Sequence, residues 1–330
     1  MTDKIDFVIP WVDGNDEEWR KKKNSYLVAQ GEDASDNRYR EWENLQYWFR
    51  GVEKFAPWVN KIHFITEGHL PKWLNENHPK LHIVRHEDYI PGEYLPVFSA
   101  NPIELNMHRI EGLSEKFVYF NDDLFLTGEV QPEDFFKKDL PLCMGVICPY
   151  MPAKDVFSKL ICNDIGVINA HFCYRESLKK HWKKWYSPKY GKRMLMSMLM
   201  FPYPNFSGFL NTHSSNSYLK STFEKVWKEE EEILKETCKH RFRDPQDVNQ
   251  HLMKYWQMAE GNFYPCNEEK RGHYYSIGKD TQQFKKDVEQ SRYKLACLND
   301  VDTEMDFEKE KQRLKDIFET ILPEKSAFER

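Results

Sequence analysis

The sequence predicts an α/β fold from two observations. Short β-branched and aromatic runs alternate with helix-spaced segments through residues 1–137, and turn-forming residues close those runs. At 40% hydrophobic and 15% aromatic, the 330-residue chain has material for a sizeable core and is not of disordered composition. In open sheets of this kind, ligands gather beyond the carboxyl ends of the strands, so those ends are where a site is sought.

Residues 5–12 (IDFVIPWV) read as a strand closed by Asp13-Gly14-Asn15-Asp16. Residues 17–30 read as a helix and 31–37 as a polar loop. Over 41–55, apolar side chains recur at Trp42, Leu45, Trp48, Phe49, Val52 and Phe55 with helical spacing, and Pro57 ends the run. Strands are expected at 61–66, 81–85 and 117–120, separated by helical or looped segments at 71–77 and 101–113. Residues 11–14, 66–69 and 121–123 then fall at strand ends around one crevice. Beyond about residue 137 the texture changes. Residues 140–175 are apolar and cysteine-rich with few clear periods, 177–193 are basic and aromatic, and 203–217 are rich in Pro, Asn and Ser. Helices are expected at 218–239, with the 229–232 glutamates on its solvated side, at 247–259 behind Asp244 and Pro245, and at 307–322.

Composition excludes several classes. With 48 basic and 53 acidic side chains, a net charge of -5 excludes bulk phosphate-backbone binding, which needs a basic surface. Asp3 and Asp6 interrupt the place of a signal peptide's apolar stretch. No apolar run approaches the roughly 18 residues of a spanning helix, residues 194–201 (MLMSMLMF) coming nearest. The seven cysteines (143, 148, 162, 173, 238, 266 and 297) contain no C-x-x-C pair, which points away from a disulfide framework or a structural zinc. A soluble intracellular protein, or one touching a membrane only peripherally, is expected.

Asn121-Asp122-Asp123 follows a buried strand. Paired carboxylates there are costly to desolvate unless a cation meets them, and a divalent ion shared with a diphosphate is one solution; a strand-ending turn is the other reading. Trp11-Val12-Asp13-Gly14 is either a turn or a strand-to-helix junction that offers N–H groups and an indole to a nucleotide. His213 lies in a polar loop, free to reach a cleft as a general base or to remain a surface bystander. Arg241 and Arg243 precede a helix and could clamp a phosphate or be merely solvated; Arg40, Arg50, His108 and Arg109 share that ambiguity. Asn299-Asp300 is another Asn-Asp pair of turn type. Residues 179–201 fit either an anionic membrane surface or an ordinary helix with its lysines wet.

Taken in order, these blocks resemble the Stealth family of sugar-1-phosphate transferases, which includes bacterial capsular polysaccharide phosphotransferases and the N-acetylglucosamine-1-phosphotransferase of lysosomal enzyme tagging. Four blocks carry the resemblance. They are 5–16 (IDFVIPWVDGND); 40–62, 71–74 and 95–126 (ending EKFVYFNDDLFL); His213 through Arg243-Asp244-Pro245-Gln246-Asp247 to Trp256; and Cys297-Leu298-Asn299-Asp300. The chain departs from the family pattern at Ile9-Pro10-Trp11, usually Tyr-Thr-Trp, at Leu45-Gln46-Tyr47, usually Leu-Arg-Tyr, and around His213.

The resemblance implies an α/β, Rossmann-like, GT-A-like nucleotide-sugar transferase core with a mostly helical C-terminal part closing the site. One composite catalytic domain over 1–330 is expected: 1–137 binding the nucleotide sugar, 138–205 a variable insert for acceptor or membrane contact, and 206–330 completing the site. The implied reaction moves a hexose-1-phosphate, such as N-acetylglucosamine-1-phosphate, from a UDP-sugar to a hydroxyl of a polysaccharide or glycan, releasing UMP during capsular or exopolysaccharide synthesis. The implied setting is the bacterial cytoplasm, at the inner face of the plasma membrane. Asp6, Asp123, His213 and Arg243 are the implied catalytic set, and Asp122, Asp123 and Asp300 would hold Mg²⁺ or Mn²⁺. Trp11, Val12, Asp13, Gly14, Arg40, Arg50, Asn101, His108, Arg109, Asn121, Asp247 and Asn299 would bind substrate. Two rivals stand beside this reading: a conventional metal-dependent glycosyltransferase releasing UDP, and a catalytically silent lectin-like or scaffold protein.

Overall fold

A computed structural model describes residues 4–30, 41–300 and 305–330. The polar loop expected at 31–37 and Arg40 lie outside the described residues. The central sheet has the order β3-β2-β1-β4-β8. Its strands are β1 Ile5–Pro10, β2 Ile62–Thr66, β3 Leu81–Arg85, β4 Lys116–Tyr119 and β8 Asn216–Leu219. The first four run parallel, and β8 closes one edge antiparallel, with Lys116 opposite Leu219. This is the α/β, Rossmann-like core expected. Side chains alternate across it as a sheet covered on both faces requires. Phe7, Ile9, Val118 and Phe120 enter the core beneath the helix Leu45–Phe55, while Val8, Phe117 and Tyr119 enter the core beneath the later helices.

The chain leaves β1 toward β2 and β3 on one side, whereas β4 joins β1 on the other. The carboxyl ends of β1 and β4 therefore flank a topological switch point, where an open α/β sheet leaves a crevice.

Two smaller sheets complete the strands. One has the order β10-β11-β5, from Gly272–Ser276, Leu295–Asn299 and Leu124–Leu126. The other has the order β6-β7-β9, from Phe136–Lys137, Leu140–Cys143 and Tyr264–Pro265. The later part of the chain is thus less purely helical than expected, since β8, β10 and β11 all come from it.

The helix Glu17–Gln30 spans the expected residues. The segment 218–239 is not one helix. Asn216–Leu219 satisfies the open edge of β4 instead, and Glu230 (φ -127°, ψ 36°) divides the remainder into Lys220–Glu229 and Glu231–Lys239. The 247–259 helix begins later, at His251, because the Asp247 carboxylate and the Asn249 amide are occupied in turns ahead of it. The helix Val156–His171 arises where few periods are clear, and Tyr174–Trp185 takes up part of the basic, aromatic stretch for which a surface helix was one reading. Among the described residues, no helix is long and apolar enough to cross a membrane, and the seven cysteines are free thiols.

Candidate active site

The switch point opens into a cleft of about 580 Å³. Pro10, Trp11 and Val12 line it from the end of β1, Tyr119, Asn121 and Asp122 from the end of β4, and Arg243 from the loop before the helix His251–Ala259. The Arg243 loop is fastened by local packing. The Phe98 N–H donates to the Arg241 carbonyl at 2.8 Å, and the Phe98 and Phe242 rings stack at 5.2 Å. Three sequence-distant segments therefore meet around one opening.

Past β4 the chain turns sharply, the Leu124 N–H bonding the Asn121 carbonyl at 3.1 Å, and enters β5. This turn points Asp122 into the cleft and Asp123 toward β11. The Asp123 Oδ2 accepts long contacts from Cys297 Sγ and Asn299 Nδ2, both 3.4 Å, and its carbonyl accepts from the Leu298 N–H at 2.8 Å. Its Oδ1 is buried with no hydrogen-bond partner. Burial drives Asp123 above the ordinary carboxylate range, and the nearby His213 imidazole partly offsets this. Asp122 is pushed up to about 7 by desolvation, then by the charges of Asp123 and Glu41. Two adjacent carboxylates raised chiefly by burial, one of them also by its neighbour's charge and the other with an orphaned oxygen, form a site that would gain from a hard cation with oxygen preference such as Mg²⁺ or Mn²⁺. Asp300 follows Asn299 at the end of β11. However, Asp122, Asp123 and Asp300 do not close into a tight three-ligand group. Among the described residues that geometry is met by His240, Asp244 and Asp247, whose ligand atoms lie within 4.8 Å of one another.

The latter group is a hydrogen-bonded knot. Asp247 Oδ1 pairs with His240 Nδ1 at 2.7 Å, while Oδ2 accepts from Asn101 Nδ2 at 2.8 Å and the Asp244 N–H at 3.0 Å. Its buried carboxylate is already satisfied. Asn101 and Asp247, expected to bind substrate, instead fasten the Arg243 loop to the helix Ala100–Leu105.

His213 is exposed, sits at φ 41° and places its ring 5.0 Å from Tyr274 of β10, close enough to Asp123 for their charges to interact. Trp11 donates Nε1 to Glu41 at 3.2 Å, and its ring stacks on Phe64 at 5.8 Å. The Asp13 N–H donates to His69 Nε2 at 2.8 Å, and Asp13 borders a second cavity, of about 710 Å³, that meets the cleft at Trp11. Gly14 is buried within the turn.

Four expected site residues lie elsewhere. Asp6 is fully buried at the start of β1, four positions before the cleft, where Asn60 Nδ2, His63 Nε2 and the Ser114 N–H contact its carboxylate at 2.7, 3.1 and 2.7 Å. Burial would raise it, but these hydrogen bonds hold it below its usual value. Arg50 grips the C-terminal region through Glu329 (2.8 and 2.9 Å), Glu319 (3.4 Å) and the Leu322 carbonyl (2.9 Å). His108 is buried beside Phe223 and Trp227, which drives it down to about 3, and the Arg109 guanidinium lies 4.8 Å from the Trp227 ring centre. Asp6, Arg50 and Arg109 are thus engaged by partners within the protein, whereas the buried His108 Nδ1 has no hydrogen-bond partner.

Sequence reasoning missed Trp19, Lys23 and Glu104, which also line the cleft. Glu104 accepts from the Tyr119 hydroxyl at 2.7 Å, and burial pushes it up to about 7 despite the nearby Arg243. The first two carried a signal: Trp19, Lys23 and Leu27 recur every four residues along one stripe of their helix.

Conserved region 1 of the Stealth proteins matches residues 3–27, region 2 residues 38–143 and region 4 residues 286–330. Several curated proteins are similar along their full length. A capsular polysaccharide phosphotransferase, WcwK, of Streptococcus pneumoniae is 42% identical over 99% of this chain and 98% of its own. The receptor polysaccharide phosphotransferase WefC of Streptococcus gordonii is 42% identical, covering 100% of both chains. The exopolysaccharide phosphotransferase cps2G of Lactiplantibacillus plantarum is 36% identical over 99% of this chain and 96% of its own. Among solved structures, the glycosyltransferase GlyE of Streptococcus pneumoniae TIGR4 is similar at 11% identity and a TM-score of 0.42, covering 98% of this chain and 63% of that one; the fold assignment stands on the strand order alone. From three matched regions and relatives of equal length, the chain belongs to the Stealth family.

Proposed function

We propose that this chain transfers a hexose-1-phosphate from a UDP-sugar to a hydroxyl of a polysaccharide or glycan, forming a phosphodiester and releasing UMP. The observation that carries the reading is the cleft lined by Trp11, Asn121, Asp122 and Arg243, with His213 near enough to the adjoining Asp123 for their charges to interact. The phosphotransferase names of the relatives support the reaction class.

In this reading the nucleotide enters the cleft beside Trp11 and Val12. Asp122 and Asp123 would hold Mg²⁺ or Mn²⁺, which neutralises diphosphate charge when bound. Arg243 faces the phosphoryl group that moves, and its planar fork suits two phosphate oxygens. His213 accepts the acceptor hydroxyl's proton as that oxygen attacks the sugar-bearing phosphorus. The bond from this phosphorus to the bridging oxygen breaks, and UMP leaves with the bonding pair. The anomeric C–O bond stays intact, so the sugar's configuration is kept. Positioning and charge neutralisation supply most of the catalysis in such a transfer. The composite domain follows from the same reading, because the cleft draws on residues from 10 to 245.

The test is incubation with a panel of UDP-sugars, including UDP-GlcNAc, and oligosaccharide acceptors, followed by mass spectrometry of nucleotide and sugar products. UMP with a phosphodiester is the expected outcome. UDP with a plain glycoside overturns the reading in favour of a conventional glycosyltransferase.

A further inference from the structure

The helix Met194–Met200 is held by one side only. Ser197 is fully buried and accepts a hydrogen bond from the Ile147 N–H at 2.9 Å, and Met194 and Met196 pack against Met144, Val146 and Tyr190. On the other side, Leu195, Met198 and Leu199 stand 59%, 51% and 70% exposed, at the i, i+3, i+4 spacing of a single face. Phe201 and Tyr203 continue the patch at 56% and 54%. Arg175 ties it to the preceding helix, Tyr174–Trp185, donating to the Pro202 carbonyl at 3.1 Å with its guanidinium 5.9 Å from the Phe201 ring centre. That helix exposes Trp182 together with Lys179, Lys180 and Lys183.

Charge identifies the partner. Residues 177–223 contain no aspartate or glutamate and eight cations (Lys179, Lys180, Lys183, Lys184, Lys189, Lys192, Arg193 and Lys220), in a chain whose net charge is -5. Some are engaged: Arg193 pairs with Glu269 at 2.7 Å, Lys184 bonds the Gly261 carbonyl, and Lys189 lies over the Tyr264 ring. Lys179, Lys180 and Lys183 are exposed on the helix beside it in sequence, Tyr174–Trp185, and Lys192 is exposed just ahead of Met194–Met200. An aliphatic face flanked by Trp and Tyr and bordered by lysines is the composition of an interfacial segment lying on an anionic bilayer.

We infer that the face built from Leu195, Met198, Leu199, Phe201 and the flanking lysines docks the protein onto an anionic lipid bilayer. The inference is independent of the chemistry proposed above, since none of these side chains lines the cleft. Insertion of the apolar face removes it from water, while the lysines meet the headgroups.

The test is vesicle flotation with the full chain. Vesicles of roughly one part phosphatidylglycerol to two parts phosphatidylcholine are compared with phosphatidylcholine alone. The protein is expected to float with the anionic vesicles only, and less so as salt is raised. Leu195→Ser, Met198→Ser and Leu199→Ser combined should lower partitioning about tenfold or more. Each Lys→Gln change at 179, 180, 183 or 192 should lower it about fivefold. Unchanged Tm in these variants secures the comparison, and Leu199→Glu alone, at the most exposed position, serves if the triple variant fails to fold. Failure to float, equal floating with both lipids, or variants that float like the parent would overturn the inference.

Discussion

Replacing Arg50 separates a structural role from a substrate-binding one. The family resemblance places Arg50 in the binding set, whereas its side chain is 10% exposed and its guanidinium forms a two-pronged pair with Glu329, whose side chain is 4% exposed. Burial alone would raise Glu329; its hydrogen bonds from Arg50 overcome this and hold the carboxyl below its ordinary 4.5. Arg50→Met strands that carboxylate, and breaking a buried pair from one side costs about 3–5 kcal/mol. For 330 residues at about 2.1 cal/mol/K each, this lowers Tm by about 4–7 °C. Because the folded-state pKa is depressed, the pair's stabilisation is fully present above the unfolded value and is lost as pH falls through the folded one. The Tm gap between parent and variant should therefore narrow on acidification below about pH 4.5. The assay is scanning calorimetry over pH, paired with donor KM on the same preparations. Near-normal Tm together with a tenfold or greater rise in KM would refute the reasoning and return Arg50 to the binding set.

Other expectations concern the cleft and the sheet. Mn²⁺ at a hundredfold excess over its Kd should raise Tm by about 4 °C, from about 2.7 kcal/mol of linkage, and Asp123→Asn should abolish that rise. Since Asp122 is raised to about 7, the metal-induced gain should be larger at pH 8 than at pH 6, where the proton competes with the cation. Arg243→Lys keeps the charge but loses the fork, and should lower kcat roughly 10²-fold or more with a smaller change in donor KM, read by initial rates. His213→Gln should lower kcat about 10²–10⁴-fold while calorimetric UDP-sugar affinity persists; unchanged turnover would remove His213 from the mechanism. Asp6→Asn should cost about 1–3 kcal/mol by chemical denaturation, leaving turnover per folded molecule close to the parent's.

The strands of the first half were legible because buried β-branched and aromatic runs have no rival reading, and their order placed Trp11 beside Asn121 and Asp122. The strand Asn216–Leu219 was not, since its apolar spacing also suits a helix and only the open edge of β4 selects the strand. The helix Val156–His171 was obscured by Asn163, Asp164 and Gly166 in its middle, although the buried Asp164 caps the turn before His251–Ala259 by accepting from the Asn249 N–H. The site was harder to read for another reason. Asp6, Arg50 and His108 are polar residues in distinctive blocks, and sequence cannot distinguish a group aimed at a ligand from one locked into a buried network. Here Asn60 and Glu329 bind Asp6 and Arg50 within the protein, and the Trp227 ring packs against His108.

The contacts of Asp123 with Cys297, Leu298 and Asn299 carry a consequence for biosynthesis. On the ribosome, the acidic turn at 121–123 emerges more than 170 residues before the strand that cradles it. A nascent or prematurely terminated chain can therefore complete its parallel strands yet lack the backing that sets this carboxylate. Setting of this carboxylate is deferred until residues 295–299 have been made.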